Sequence, residues 1–399
     1  MSIKVMAVNA GSSSLKFKLY DMPSEKVICK GIADRIGHED GIFKIESDKG
    51  EKKFIVPIPD HAVAVQLLLD NLLSEGIIAS LDEIGGIGHR IVQGGSYFAD
   101  SAVLDKDTED KIESLIPLAP LHNAAHLIGF RAFKKVLPQV GNVAVFDTAF
   151  HQTMAPTDYL YPIPYEYYTD YGIRRYGAHG TSHHYLALEA QKYYDKKEGN
   201  RLITCHLGSG ASLCAILDGK CVATSMGLTP LGGIMMGTRC GDIDPSVMSY
   251  ACACTGKSVE EMYQIFNKKS GLLGVSGVSN DTRDILAEVE KGNKMAILAN
   301  DLFIRRVVDF IGQYYARLGG CDVLVFSAGI GENVGYYREK ICDQLKSAFG
   351  IEIDNEINRP LRGKEAVIST KSSKIKVVVI PTDEEVMIAR DTMRLLHLN

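Results

Sequence analysis

The stretch that decides the fold is IKVMAVNAGSSSLKFKLY, residues 3–20. Ile3–Val8 and Leu15–Leu19 are apolar runs of strand length, and the six residues 9–14 between them include one Gly and three Ser. A short turn rich in Gly and Ser between two apolar runs predicts a β-hairpin. The backbone N–H groups and hydroxyls of such a turn can also form a concave site for an anion.

The same pattern returns in the second half of the chain, where Leu202–Cys205 and Leu213–Leu217 flank the turn HLGSGAS, residues 206–212. Two further strands, Val323–Phe326 and Ile375–Ile380, each lead into a polar turn and then a helical pattern. Strands that alternate with helices predict an α/β fold, and the repeated hairpin predicts a duplicated architecture.

Composition excludes several classes of protein. The chain has 399 residues, of which 46% are hydrophobic and 23% charged, so it is neither disordered nor fibrous. Its 44 Lys and Arg against 49 Asp and Glu argue against a nucleic-acid partner. No apolar stretch reaches the roughly 18 residues of a transmembrane helix, so no membrane partner is expected. Because the N-terminus leads directly into a strand, without a signal peptide, we expect a cytoplasmic location.

The nine cysteines are scattered through the chain, and none belongs to a pair of CxxC motifs. Structural zinc sites usually show such pairs. The sequence therefore predicts that these cysteines are buried small hydrophobic residues rather than zinc ligands.

Helix signals divide the chain further. Asp60 can cap a helix that runs to Leu73, and Asn123 can cap another that ends before Pro138. Tyr and Pro dominate the start of residues 155–176, which predicts an irregular connection and a candidate domain boundary.

Three Gly-rich turns, the last of them residues 327–333, each follow an apolar strand. None matches the GxxxxGK[ST] of a P-loop, the GxGxxG of a Rossmann site or the GxSxG of a nucleophile elbow. A single turn of this kind is weak evidence, because hairpins need Gly anyway. Three of them favour phosphate binding by another fold.

The segment HGTSH has His at positions i and i+4 but lacks the Glu of a HExxH zinc motif. Thr181 or Ser182 can cap the following helix, which would leave His183 and His184 on its surface. His179 precedes that helix in a loop flanked by Gly, so we expect it to face a cleft.

Charged residues in loops complete the set of candidates. Arg90, Arg174, Arg175 and Arg239 lie beside Gly, His or Tyr, and Arg suits bidentate recognition of carboxylate or phosphate. Asp147 ends an apolar strand, where active sites of α/β proteins usually lie.

A possible metal ligand precedes the last helix. Thr382 and Glu385 fit a capping box, which explains Glu385 structurally. Glu384 has no such explanation, and a carboxylate close to phosphate turns suits Mg²⁺.

Taken together, these segments resemble the acetate kinase family, within the sugar kinase–Hsp70–actin superfamily. The matching stretches span the chain in order: VNAGSSSLKF (8–17), GHRIVQGG (88–95), PLHN (120–123), VFDTAFHQTM (145–154), RRYGAHGTSH (174–183), HLGSGAS (206–212), MGTRCGDIDP (236–245), SAGIGEN (327–333) and PTDEEVMIARDT (381–392).

The resemblance implies an α/β fold of two duplicated ribonuclease H-like lobes, of the actin and Hsp70 type, with an active-site cleft between them. It implies an N-terminal lobe over 1–150, with a C-terminal helix at about 383–399 packed back on it, and a nucleotide-binding lobe over 151–382. The implied activity is that of an acetate kinase, a reversible phosphoryl transfer between ATP and acetate that gives acetyl phosphate and ADP. The implied metal is Mg²⁺, or Mn²⁺ in its place, and the implied assembly is a homodimer.

The resemblance also implies roles for individual residues. The catalytic residues would be Asp147, His179, Arg239 and Arg90. The metal would be held by Asn9 and Glu384. The nucleotide would be bound by Ser12, Ser14, Lys16, His206, Leu207, Gly208, Ser209, Gly210, Asp281, Thr282, Arg283, Gly329, Ile330, Gly331, Glu332 and Asn333. The carboxylate substrate would contact Arg90, Val92, Leu121, His122, Ala178 and Pro230.

The sequence departs from the family pattern at three positions. Ala178 stands where the family usually has Phe, Ser209 where it has Asn, and Gln93 where it often has His. Loss of a large apolar wall near the substrate methyl predicts a relaxed chain-length preference, so a propionate or butyrate kinase is the alternative. Ser209 is shorter than Asn, which predicts altered affinity for the phosphate donor.

Two rivals belong to other classes. One is a nucleotide-driven module like an Hsp70 ATPase domain, which the absence of a linker after the final helix argues against. It would also leave Arg90, His179 and Arg239 without a purpose. The other is a scaffold whose turns merely bind anions. Carboxylate-dependent production of ADP distinguishes the kinase from both.

Overall fold

The computed structural model of the chain describes residues 2–120 and 122–398. Leu121, one of the residues expected to contact the substrate, lies outside the described residues. Among the helices described, none has the combined length and hydrophobicity that a membrane span requires.

The strands confirm both hairpins. In chain order they are β1 (Ile3–Ala10), β2 (Ser14–Met22), β3 (Lys26–Asp34), β4 (Ile42–Ser47), β5 (Gly50–Ile55), β6 (Ile84–Ile91), β7 (Ala102–Val103), β8 (Gly141–Phe146), β9 (Arg201–Leu207), β10 (Ala211–Leu217), β11 (Lys220–Thr224), β12 (Val323–Ser327), β13 (Ala366–Val367) and β14 (Lys376–Val379).

The helices fill the intervals between the strands. They are α1 (His61–Ser74), α2 (Lys106–Ser114), α3 (Asn123–Val136), α4 (Pro156–Tyr159), α5 (Glu166–Tyr171), α6 (Gly180–Glu189), α7 (Ser246–Thr255), α8 (Val259–Lys268), α9 (Gly271–Ser276), α10 (Thr282–Glu290), α11 (Lys294–Leu318), α12 (Ala328–Asn333), α13 (Gly335–Phe349), α14 (Asn355–Asn358) and α15 (Glu384–Leu395).

The chain divides into two compact units. The first comprises the described residues up to Phe150 together with those from Asp383 onward. Its sheet has the order β5-β4-β3-β2-β1-β6-β8-β7, and α15 packs on β1, β6 and β8. Strands β3, β2 and β1 are antiparallel neighbours, whereas β1, β6 and β8 run parallel.

The second unit, His151–Thr382, has the sheet order β11-β10-β9-β12-β14-β13. Its strands β11, β10 and β9 are antiparallel neighbours, and β9, β12 and β14 run parallel. Each unit therefore contains a hairpin-led half sheet followed by two parallel strands in the same spatial order. This repetition confirms the duplicated α/β architecture that the two hairpins predict.

Of the four helix caps that the sequence predicts, one is confirmed. Helix α6 begins at Gly180 with His179 as its N-cap residue, so the prediction that Thr181 or Ser182 caps it is wrong. Asp60 caps α1 by accepting a hydrogen bond from the N–H of Val63, as predicted. Asn123 does not cap α3, because its side chain is bonded to the backbone of Gln93 instead. The predicted capping box at the last helix is also wrong, since Asp383 is the residue that caps α15.

The segment 155–176 contains two short helices, α4 and α5, rather than only irregular structure. The change from one unit to the next falls just before it, between Phe150 and His151. The Pro- and Tyr-rich segment 155–176 therefore belongs to the second unit.

His89 on β6 gives the first unit a pH-dependent stability. The ring is buried, bonded through Nε2 to Asn142 Oδ1 at 2.8 Å and packed edge-on to Phe130 and Phe133. Burial lowers the pKa of His89 to about 4, with the bond to Asn142 opposing the shift. The unfolded chain therefore binds more protons between about pH 6.5 and about pH 4, so stability falls as pH falls through that window.

We expect His89→Gln to remove most of this dependence. The contribution of His89 to the loss of stability should reach about 3 kcal/mol towards pH 4, and the difference between the two proteins in urea unfolding at about pH 7 and about pH 5 measures it. Parallel pH profiles for the two proteins would contradict this assignment.

Candidate active site

An ion pair joins two adjacent parallel strands of the first unit. Arg90 lies on β6, near its end, rather than in a loop as predicted. Asp147 directly follows β8, whose Phe146 is in register with Ile91. The Arg90 Nε lies 3.1 Å from each carboxylate oxygen of Asp147, and its Nη2 lies 2.6 Å from Oδ2. The Asp147 side chain is 1% exposed, and the Arg90 guanidinium offsets the charge of this buried carboxylate.

The first helical residue of α15 brings a second carboxylate to the same pair. Burial raises the pKa of Glu384 to about 7, Arg90 opposes that shift and the charge of Asp147 adds to it. Burial alone would lower the pKa of Arg90, but Asp147 and Glu384 outweigh it and raise the value. The three side chains therefore lie within electrostatic reach of one another.

These donors fit a divalent cation. Glu384 is a carboxylate that burial and Asp147 both disfavour in its charged form, and a nearby cation would reverse that. Asn9 at the end of β1 offers a neutral amide oxygen in the same unit. Carboxylate and amide oxygens are the hard ligands that Mg²⁺ takes.

The caps around this carboxylate differ from the sequence prediction. Asp383 accepts hydrogen bonds from Lys18 and Tyr20, and Glu385 is also bonded to Lys18. The bond to Lys18 therefore accounts for Glu385 without the predicted capping box with Thr382. Glu384 takes part in neither the cap of α15 nor the bonds to Lys18.

The turn of the first hairpin is open to solvent. The N–H of Gly11 donates to the Ser14 carbonyl at 2.7 Å and closes the turn. Ser12 and Lys16 are exposed and Ser14 is half-buried. A cavity of about 380 Å³ is lined by residues that include Asn9, Lys16, Lys18 and Glu385. The side chains predicted to bind phosphate are thus accessible.

The remaining described substrate candidates of this unit are Val92 and His122. Val92 is buried, and its N–H donates to His126 Nδ1 at 3.4 Å. His122 is half-buried at the start of α3. Gln93, which replaces the usual His, is buried, and its side chain accepts from the N–H of Gly95 at 2.9 Å.

His179 carries the imidazole of the second unit. It precedes α6 with φ of 60°, in the left-handed region, and it makes no side-chain cap hydrogen bond to the helix. Its Nδ1 lies 2.8 Å from Ser212 Oγ, and its ring stacks on His206 with centroids 4.2 Å apart. A residue held in this uncommon conformation by specific partners is typical of a functional site.

The expectation that His183 lies on the helix surface is wrong. Its side chain is completely buried, with Nδ1 2.7 Å from Thr204 Oγ1 and Nε2 2.9 Å from Ser212 Oγ. Burial lowers the pKa of His183 well below its usual value, so the ring is neutral. His184 is half-buried.

Ser212 is the residue whose role the sequence did not reveal. It is buried on β10 and its hydroxyl connects His179 to His183. The motif HLGSGAS contains it, but nothing in the motif distinguishes a bonded Ser from a turn Ser.

We expect Ser212→Ala to lower kcat by up to about 10-fold, because His179 loses the bond that fixes its ring. KM for both substrates should change little. The exposed Ser249→Ala, also in the second unit, is the matched control for steady-state rates. A change in KM without a fall in kcat would contradict a positioning role for Ser212.

Arg239 lies beside His179 on the other side of Gly210. A Cβ built on Gly210 would lie 3.4 Å from Arg239 Nη1 and 3.6 Å from His179 Nε2, so both side chains lie against this glycine. The guanidinium is half-buried, bonded through Nη1 to the Pro230 carbonyl at 3.2 Å. Burial lowers the pKa of Arg239, and its guanidinium forms no ion pair with a carboxylate within residues 2–120 and 122–398.

The turn of the second hairpin is held from two sides. A Cβ on Gly208 would lie 3.7 Å from the Ala328 Cβ, at the start of α12. The N–H of Gly237 donates to the Ser209 carbonyl at 3.1 Å, and Gly237 also lies against Asn280. Ser209 is exposed, whereas Leu207 and His206 are buried. The predicted phosphate loop thus adjoins the segments that precede Asp281 and follow Ser327.

The expected adenosine-binding residues divide into exposed and structural ones. Asp281 caps α10 and pairs with the exposed Arg283, whose hydrogen bond is the main cause that lowers the pKa of Asp281 to about 2. Glu332 Oε1 accepts from the N–H groups of Ala328 and Thr382 at 2.7 and 3.0 Å. The Glu332 carboxylate therefore holds the backbone at Ala328 and at Thr382. The other members are Thr282, which is buried, and Gly329, Ile330, Gly331 and Asn333, which lie in α12.

Two Arg candidates have structural roles. Arg175 Nη1 donates to the carbonyls of Thr224, Ser225 and Met226. The Arg174 guanidinium lies 3.6 Å from the centre of the Tyr159 ring. Ala178 is 2% exposed and packs in the apolar core of this unit.

The fold and these residues match known proteins over the full chain. The chain is similar to a crystal structure of Porphyromonas gingivalis acetate kinase, with TM-score 0.94, 43% identity and coverage of 99% and 100% of the two chains. It is also similar to a propionate kinase from Francisella tularensis, with TM-score 0.93, 39% identity and coverage of 98% and 100%. An acetate kinase from Bacillus cytotoxicus is 53% identical over 393 residues, with 98% of each chain covered.

The duplicated fold, the cationic groups on its strand ends and these relatives define a class: the chain is a phosphotransferase with a carboxyl group as acceptor. The Acetokinase family matches residues 4–390. The chain belongs to the acetokinase family.

Proposed function

We propose that the chain is a Mg²⁺-dependent acetate kinase that transfers a phosphoryl group reversibly between ATP and acetate. The observation that carries the proposal is the Arg239 guanidinium, which is half-buried, has no carboxylate partner among the described residues and lies next to His179 across Gly210. A buried cation without a counter-ion is stabilised by binding an anion. By family resemblance we also propose a cytoplasmic homodimer.

The charges suit this reaction because its nucleophile needs no base. A carboxylic acid titrates near ~4.3 and is already ionised at neutral pH. The barrier comes instead from the repulsion between a carboxylate and a polyphosphate. Phosphoryl transfer is catalysed mostly by positioning and by neutralisation of charge.

Each cationic group has a proposed part. Arg90 and Arg239 would hold the acetate and the transferred phosphoryl group, and His179 would donate a hydrogen bond to that group. Asp147 would hold the Arg90 guanidinium through the contacts between 2.6 and 3.1 Å. His179 would keep its orientation through Ser212.

Asn9 and Glu384 would hold Mg²⁺, which supplies neutralisation of phosphate charge when it is bound. Asp147 would orient that metal or its waters rather than act as a base. Manganese would serve in its place, since it accepts the same oxygen ligands.

The Gly-rich turns would bind the nucleotide. Ser12, Ser14 and Lys16 in the first unit and the loop from His206 to Gly210 in the second would contact the phosphates. The segment from Asp281 to Arg283, with α12, would contact the adenosine. The shorter Ser209 would leave one hydrogen bond to a water.

Hydroxylamine trapping tests the proposal. Purified full-length protein with MgATP, acetate and hydroxylamine should form acetyl hydroxamate in proportion to ADP. Omission of acetate should abolish both products. Release of ADP that does not depend on any short carboxylate would instead indicate a nucleotide-driven module, and the absence of both products would leave only anion binding.

A longer-chain acyl kinase is the second candidate. The similarity to a propionate kinase and the presence of Ala178 in place of Phe favour it. For each protein, kcat/KM with propionate or butyrate is divided by kcat/KM with acetate. We expect this ratio to be about 10-fold higher in wild type than in Ala178→Phe, within the range by which pockets discriminate a methylene.

Because Ala178 is buried in the core, a Phe there could strain the unit rather than narrow a pocket. Denaturant midpoints of both proteins therefore accompany the rates. A wild type that uses only acetate would contradict the relaxed preference. So would a variant whose kcat/KM falls equally for acetate, propionate and butyrate.

A further inference from the structure

Three potential metal ligands meet in the interior of the second unit, apart from the residues assigned to the reaction. They are His151 at the start of the unit, Cys214 on β10 and Cys221 on β11. All three side chains are completely buried. One ligand atom from each lies within 4.8 Å of the others.

The distances between these atoms are close to those of a zinc site. His151 Nδ1 lies 3.2 Å from Cys221 Sγ, and the two sulfurs are 3.4 Å apart. Tetrahedral Zn²⁺, with Zn–S of about 2.3 Å and Zn–N of about 2.0 Å, separates its ligand atoms by about 3.5–3.8 Å. Displacements of a few tenths of an ångström would bring these two pairs of atoms to that geometry, and the ligand atoms of His151 and Cys214 lie within 4.8 Å of each other.

The imidazole is already oriented as a ligand. His151 Nε2 lies 3.2 Å from the Ala178 carbonyl, and because a carbonyl can only accept, Nε2 carries the proton. Nδ1 therefore directs its lone pair to Cys221. A metal-binding His usually donates its other N–H to a carbonyl or carboxylate in this way.

We propose that His151, Cys214 and Cys221 bind Zn²⁺, or a cation of similar softness, through Nδ1 and the two Sγ atoms. Binding replaces the two thiol protons, which leave to solvent, and two thiolates with Zn²⁺ give a site with no net charge. A neutral complex avoids the cost of an uncompensated charge in a dry interior. A water molecule or another neutral group would complete the tetrahedron.

The site adjoins the edge of the second sheet. Cys221 lies on β11, the edge strand of the second sheet. A cavity of 230 Å³ is lined in part by Val222, the next residue along that strand, and by Thr153, two residues after His151. Thr153 Oγ1 donates to the Cys221 carbonyl, so the cavity wall is tied to a ligand residue.

The site is linked to the proposed catalytic residues through the backbone. Cys214 and Ser212 are two apart on β10, so their side chains lie on the same face of the sheet. The Ala178 carbonyl that accepts from His151 immediately precedes His179. The cation would thus stabilise the segments that support His179, independently of whether the proposed reaction is correct.

Cobalt is the spectroscopic probe, since Co²⁺ replaces Zn²⁺ at thiolate sites and absorbs in the near ultraviolet when sulfur binds it. Reduced full-length protein is loaded in two ways, by dialysis of the native protein and by expression with Co²⁺ in the medium. We expect one equivalent of Co²⁺ with thiolate-to-cobalt absorption that Zn²⁺ abolishes. No such absorption in either preparation overturns the proposal.

Variants identify the ligands. Cys221→Ser, Cys214→Ser and His151→Gln should each weaken Co²⁺ binding by roughly 10-fold or more. Cys254→Ser, which alters an exposed cysteine, should bind as wild type does. Unchanged absorption in both Cys214→Ser and Cys221→Ser overturns the assignment.

A buried substitution can prevent folding, so one measurement uses the wild type alone. X-ray absorption of the cobalt-loaded protein should show two sulfur ligands with nitrogen or oxygen in the remaining positions. A shell of nitrogen and oxygen only overturns the proposal, whatever the variants do.

Discussion

Arg239→Ala is expected to lower kcat/KM for acetate by about 10³-fold, the range seen when one preorganised donor to a developing charge is removed. The guanidinium is half-buried and forms no ion pair with a carboxylate in the part of the chain that is described, so its loss strands no paired carboxylate, only the Pro230 carbonyl that accepts from Nη1. Stability should therefore change little while activity falls. Initial rates and urea midpoints, measured on the same preparations, separate the two effects.

The matched control for Arg239 is Arg306→Ala, which removes an exposed Arg from α11 in the same unit. Its kcat/KM should stay within about twofold of wild type, since surface substitutions rarely matter. Equal activities of the two variants would contradict the role of Arg239 as an anion-binding group.

Arg90→Ala is expected to reduce both activity and stability. Loss of the cation should lower kcat/KM by about 10³-fold. Removal of Arg90 also breaks its ion pair with Asp147, whose side chain is 1% exposed, and breaking a buried pair costs about 3 kcal/mol. Hydroxamate formation measures the first effect, and urea unfolding measures the second.

Arg131→Ala provides the comparison for stability in the same unit. Arg131 pairs with Glu109 and Glu113 on the surface, with its side chain 46% exposed, and such pairs contribute about 0–1 kcal/mol. If Arg90→Ala and Arg131→Ala unfold at the same urea concentration, Asp147 does not depend on Arg90.

The fold was predictable because its signals are local. Apolar runs such as Ile3–Val8, broken by Gly and Ser turns, determine hairpins without reference to distant residues. The recurrence of that pattern at Leu202–Cys205 was enough to predict the duplication, which the matching strand orders confirm. Asp60 likewise acts as a cap because its partner, Val63, lies three residues away.

The errors arise where a distant partner competes with a local one. Asn123 could cap α3, but the backbone of Gln93 takes its side chain. Thr382 could cap α15, but its hydroxyl bonds to Ser182 at 2.7 Å. No spacing rule within the sequence reports such partners.

Burial of polar residues was the least predictable feature of the site. His183, the last residue of HGTSH, is predicted from the sequence to lie on the surface. Inside the unit, however, both of its ring nitrogens are hydrogen-bonded, one to Thr204 and the other to Ser212. The cluster of His151, Cys214 and Cys221 is hidden in the same way, since its members are separated in sequence and follow no metal-binding spacing. Only the folded chain brings these groups together.

The central claim is that positive charge allows two anions to react, and chemical rescue of Arg239→Ala tests it most directly. Guanidinium at low concentration should raise the rate of acetyl hydroxamate formation by this variant, while urea, which has a similar shape and no charge, should not. Arg306→Ala should respond to neither. An equal response to guanidinium and urea, or a flat response to guanidinium in the folded variant, would contradict the claim.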